Sequence, residues 1–108
     1  MKGFKVLVVD DSVVSRKVLA EKFEKDGAEV VQVKSGQEAL SRLEQHSFDC
    51  AYIDYEMPEM NGLELIEKIH ALNLNPRPAL TLLTSNTSED IYQRAIEAGA
   101  DAYIPKGQ

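Results

Sequence analysis

The chain has 108 residues, 44% of them hydrophobic, with a formal net charge of −6 and one cysteine. That length fits a single domain over residues 1–108. Without a basic run or a Lys/Arg stripe, the usual electrostatic footprint of nucleic-acid or anionic-membrane binding is missing.

No stretch approaches the ~18 apolar residues of a membrane span. The N-terminal apolar run stops at two acids, too early for a signal peptide. Cys50 has no partner for an internal disulfide and lies in an apolar stretch, so it is expected in the core of a cytoplasmic protein.

The segment FKVLVVD (4–10) reads as a strand rich in β-branched residues. Residues 12–27 then place Val14, Val18, Leu19 and Phe23 at helical spacing, with Gly27 as a C-terminal cap. EVVQV (29–33) is a second strand, and 35–46 is helical with Leu40 and Leu43 on one side. CAYID (50–54) is a third strand, and 62–73 a helix carrying Leu63, Ile66, Ile69 and Leu72. ALTLLT (79–84) is a fourth strand. The next helix, 88–99, starts on Ser88, has acids in its first turn and ends at Gly99. AYI (102–104) is a short fifth strand. His46 and His70 have no second ligand at metal-binding spacing and are expected on solvated helix faces.

Strands alternating with helices predict a doubly wound α/β fold around a parallel sheet. The first, third and fourth strands are almost wholly apolar, as central strands are. The second contains Glu29 and Gln32, and the fifth runs into Pro105, so both are edges. Right-handed crossovers then favour the flavodoxin-like order 2-1-3-4-5. They also put helix 12–27 alone on one face, leaving apolar side chains of strands three to five bare, so the chain is expected either to be a fragment of a longer protein or to bury that face in a dimer or heteromeric contact.

In such a sheet the C-terminal strand ends share one rim, and ligands bind where strand order reverses. Asp10 and Asp11 end the first strand, Asp54 the third, and Thr84 and Ser85 the fourth, while Lys106 follows the fifth. Acids crowded this way repel unless a hard cation joins them, and an all-oxygen set suits Mg²⁺. A remaining carboxylate is a competent nucleophile toward phosphorus. Lys106 and the Thr84 hydroxyl could contact the phosphoryl oxygens.

The pieces VVDDS (8–12), IDYEMPEMNG (53–62), LLTSN (82–86) and GADAYIPK (99–106) resemble the response-regulator receiver domains of two-component signalling, chemotaxis regulators in particular. The resemblance covers essentially the whole chain. It implies that Asp54 is the phosphoacceptor and that Asp10, Asp11 and Asp54 hold Mg²⁺ with the Glu56 backbone carbonyl. It further implies that Thr84 and Lys106 contact the phosphoryl group and that Tyr103 changes rotamer with Thr84. Glu56 and Asn86 flank the site and would tune loss of the phosphate. The donor would be a sensor histidine kinase or phosphotransfer protein, and the signal a changed affinity for an output partner. The chain would not be an enzyme beyond promoting its own phosphorylation and dephosphorylation.

In the loop, Pro58 is expected to fix one φ and Gly62 to free another, while Met57 and Met60 plug onto the core. Two features depart from the family pattern. Gly107 stands where a proline, joined by a cis peptide, usually follows the lysine, and the family's fifth helix is absent. The main alternative is a receiver-like interaction module that accepts no phosphate. An aspartate-based phosphatase with Glu56 as its second acid, and a flavin carrier, fit less well.

Overall fold

The computed structural model describes residues 2–106. The Lys106–Gly107 peptide lies outside them. In chain order the elements are β1 (Lys5–Val9), α1 (Val13–Lys25), β2 (Glu29–Val33), α2 (Gly36–Gln45) and β3 (Cys50–Asp54). They continue as α3 (Gly62–Ala71), β4 (Ala79–Thr84), α4 (Glu89–Ala98) and β5 (Ala102–Pro105). The five strands form one parallel sheet in the order β2-β1-β3-β4-β5.

Local chemistry sets the ends of the helices. Ser12, Ser35, Asn61 and Ser88 cap the four N-termini, each accepting a backbone N–H from the first turn. Asn61 and Glu64 form a reciprocal capping box, satisfying two otherwise orphaned donors. After α1, Gly27 takes a positive φ of 93°; its N–H reaches Glu24 O, and that of Ala28 reaches Phe23 O. This pair of bonds is a Schellman motif, and it closes the helix where a side chain would be strained. Gly99 ends α4 with φ 101°.

The strands bury their faces unequally. Leu7, Val9, Ile53, Leu80 and Leu82 meet Leu43, Ile66, Ile69 and Ala95 from α2, α3 and α4. On the opposite face Val6, Val8 and Cys50 pack with Phe23 of α1, and the Phe23 and Tyr52 rings lie 4.6 Å apart. The edge strands β2 and β5 keep exposed positions, whereas Val6–Val9 of β1 are buried.

The apolar stripe expected on α1 is only half used. Phe23 is buried and Leu19 half-buried, but Val14 is 72% and Val18 62% exposed. Among the described residues no element lies against that flank of α1. The bare area on the sheet is narrower than expected. Ile104 is exposed, but Leu83 and Thr81 are buried, and Tyr52 is partly covered by Phe23. His70 is not simply solvated: it is half-buried, with Nε2 2.9 Å from the Gly99 carbonyl oxygen, so it ties α3 to the end of α4.

At the N-terminal rim of the sheet the carboxylates are paired. Asp101 accepts Arg77 Nη1–H and Nη2–H at 2.9 and 3.2 Å and Leu80 N–H at 2.8 Å. These bonds, the one from Arg77 foremost, hold Asp101 below its usual pKa. Asp49 accepts Lys5 N–H at 2.7 Å.

Candidate functional site

At the opposite rim the sheet geometry brings the acids together. Val9 pairs in register with Ile53, so the residues that follow, Asp10 and Asp54, emerge side by side where strand order reverses. Both carboxylates are buried, at 3% and 2% exposure, while Asp11 is exposed. One oxygen from each of the three acids falls within 4.8 Å of the others.

Lys106 closes the cluster from beyond β5. Its N–H donates to Thr84 O at 2.7 Å, continuing the β4–β5 pairing by one residue. Its Nζ then lies 3.1 Å from Asp54 Oδ1 and 3.7 Å from Asp10 Oδ2. One ammonium between two buried carboxylates leaves the group short of positive charge. Burial, and next the Asp10 charge, push Asp54 up to about 6 against the pull of Lys106. Desolvation disfavours the Lys106 ammonium, but the acids, Asp54 first, outweigh it and raise its pKa. Three hard oxygen donors with excess negative charge fit a hydrated Mg²⁺, which needs only a few carboxylates.

Thr84, fully buried at the end of β4, adds a hydroxyl to this rim. It donates to Glu56 Oε2 at 2.8 Å and accepts Asn86 N–H at 2.9 Å. The Tyr103 hydroxyl in turn donates to Asn86 O at 2.8 Å, and its ring packs edge-on against Tyr92 at 5.4 Å. The expected site residues Asp10, Asp11, Asp54, Thr84 and Lys106 therefore share one rim, with Glu56, Asn86 and Tyr103 linked through Thr84. Arg16 was not visible from sequence. Its Nη1–H donates to Asp10 O at 2.8 Å, a contact that its spacing along α1 does not advertise. A groove of about 400 Å³ leads away from the site between α1 and β5, lined by Val14, Val18, Leu83 and Ile104 as well as Asp10 and Lys106.

The loop after Asp54 differs in one respect from its expected role. Gly62 does not have a positive φ; in the loop that conformation falls on Glu59, at 69°. Gly62 is required for space instead. A Cβ there would stand 2.7 Å from the Asp54 carbonyl oxygen and from Leu82 Cδ1. The start of α3 is thus pressed against the end of β3, and Gly62 N–H donates to Tyr55 O at 3.1 Å. Met57 is buried and Met60 packs on the core, as expected of plugs.

Known proteins similar to this chain in sequence or fold are numerous. The family model for the response regulator receiver domain matches residues 6–108. A protein-glutamate methylesterase/protein-glutamine glutaminase of Oleidesulfovibrio alaskensis is 41% identical over 94% of this chain, which spans 28% of that relative. A probable histidine kinase of rice is 33% identical over 96% of the chain, which spans only 13% of it. The structure of chemotaxis protein CheY4 of Vibrio cholerae superposes with a TM-score of 0.91 at 30% identity, covering 97% of this chain and 88% of that one. With the fold, the acidic rim and the family model all in agreement, the chain belongs to the response regulator receiver domain family.

Proposed function

We propose that this chain is a phosphorylation-controlled signalling switch, with Asp54 as its phosphoacceptor and a sensor histidine kinase or phosphotransfer protein as its donor. The observation that carries this reading is the position of Lys106 Nζ, 3.1 Å from Asp54 and 3.7 Å from Asp10, beside a buried Thr84 hydroxyl. An Asp54 carboxylate oxygen attacks phosphorus and forms the P–O bond as the P–N bond of the donor's phosphohistidine breaks. The imidazole leaves with that electron pair and takes up a proton from solvent. Lys106 and Thr84 orient the phosphoryl oxygens by charge and by hydrogen bonding. Bound by Asp10, Asp11, Asp54 and the Glu56 backbone carbonyl, Mg²⁺ would neutralise charge on the transferring group.

The signal leaves through backbone. Thr84 and Tyr103 bond to opposite sides of Asn86, so turning the Thr84 hydroxyl shifts the support of Tyr103 on the α4–β5 surface. That surface is where an output partner would read the change. The same reading makes the chain no enzyme toward other substrates and sets it in the cytoplasm, which suits the buried, reduced Cys50. Among the described residues no helix is long and apolar enough to cross a membrane.

Treatment with an acyl phosphate in Mg²⁺ followed by intact-mass spectrometry tests the proposal. Wild type should gain one phosphoryl group and Asp54→Asn none. A gain in Asp54→Asn would move the acceptor elsewhere, and no gain in wild type would favour a plain interaction module.

A further inference from the structure

The Thr84 hydroxyl is already engaged. A hydroxyl has one proton to donate, and here it goes to Glu56 Oε2 at 2.8 Å. The residue is fully buried, so water offers no alternative acceptor, and its β-branched side chain has few χ1 choices. Glu56 is held from a second direction by Ser85 N–H, 3.5 Å from its other oxygen. Among the described residues Glu56 forms no ion pair, so Thr84 and Ser85 at the end of β4 are its side-chain partners.

We propose that Glu56 is a positioning residue that withholds the Thr84 hydroxyl from an incoming phosphoryl group, competing with phosphorylated Asp54 for that single proton. The inference rests on Asp54 being the acceptor. For Thr84 to bond a phosphoryl oxygen on Asp54, its hydroxyl must leave Glu56 and turn. The turn also disturbs the Asn86 N–H that it accepts at 2.9 Å, and with it the carbonyl that holds Tyr103. Glu56 therefore sets a threshold: it opposes phosphoryl binding and keeps Thr84, Asn86 and Tyr103 in their present arrangement until it is displaced. Its place two residues after Asp54, on an exposed loop, lets it swing away without unfolding the strand end.

Beryllium trifluoride, a phosphoryl mimic, tests this in the presence of Mg²⁺, with binding followed by the Thr84–Asn86 amide resonances. Glu56→Ala should tighten trifluoride binding about tenfold, equivalent to ~1.4 kcal/mol, as expected when one charge-assisted competitor is removed. The gain should persist when Thr84 is replaced by Ser and fall below about twofold when it is replaced by the isosteric Val. An equal gain in the Thr84→Val background would mean simple relief of charge repulsion and would overturn the proposal. So would the absence of any gain from Glu56→Ala in a protein whose wild type binds normally. Wild type that fails to bind trifluoride at all refutes the acceptor reading itself, and the inference with it.

Discussion

Replacing Asp54 by Asn should stabilise the metal-free protein, and the size of the gain should depend on pH. Burial and the Asp10 charge raise the Asp54 pKa to about 6, well above the ordinary aspartate range. The folded state therefore binds the proton more tightly than the unfolded chain does. Stability contributed by the protonated acid is complete below about pH 4 and is lost as pH rises toward 6. A rise of that size corresponds to ~3 kcal/mol at neutral pH, a large share of a small domain's stability. Asn approximates the neutral acid, so the two proteins should be about equally stable near pH 4 and differ by ~2–3 kcal/mol at pH 7.5. Urea unfolding in chelator across this range measures the gap, and the matching shift in melting midpoint is on the order of 10 °C. Asp101, held low by Arg77, works in the opposite sense and only below about pH 4, and it is common to both proteins. Parallel stability curves with no widening gap would refute the reasoning, because Asp54 would then carry no penalty for its burial.

Asp11→Asn should weaken or remove the rise in melting temperature that Mg²⁺ gives the wild type, while circular dichroism shows the fold unchanged; equal stabilisation of both would exclude this acid from the ion site. Gly62→Ala should destabilise by ~1–3 kcal/mol in denaturant titration, since its Cβ meets the Asp54 carbonyl and Leu82; a neutral effect would mean that the start of α3 can slide. The apolar flank formed by Val14, Val18 and Ile104 should drive concentration-dependent dimers in light scattering, and Val18→Glu should leave a monomer of unchanged stability. A wild type that stays monomeric at high concentration would argue against a self-contact there.

Most of the architecture is legible in the sequence because it rests on periodicity and punctuation. The apolar runs of β1, β3 and β4, the caps at Ser88 and Gly27, and the Pro105 edge signal each follow from local chemistry. Clustering of the acids was legible too, since parallel strands must end on one rim. What escaped depends on distances between elements. Periodicity places Val14 and Val18 on a stripe but does not say whether anything covers it. A glycine after a loop suggests freedom in φ, whereas Gly62 answers to the closeness of Asp54 and Leu82. His70 and Arg16 find backbone carbonyls that only the folded chain brings near. The bond from Thr84 to Glu56 joins residues 28 positions apart, and no local pattern announces it.

The two rims of the sheet divide the work of the molecule between them. At one, Asp49 and Asp101 are fully engaged by backbone N–H groups and by Arg77. At the other, Asp10 and Asp54 are buried with a single ammonium between them. Mutational robustness should therefore be polarised along the strands. Substitutions around Arg77 and Asp101 would be felt as changes in expression and half-life, with the proposed response to phosphorylation preserved. Substitutions around Asp10 and Asp54 could make a sturdier protein that no longer responds. An engineer seeking a tougher receiver domain would work at the first rim, and one seeking to alter the proposed switch at the second.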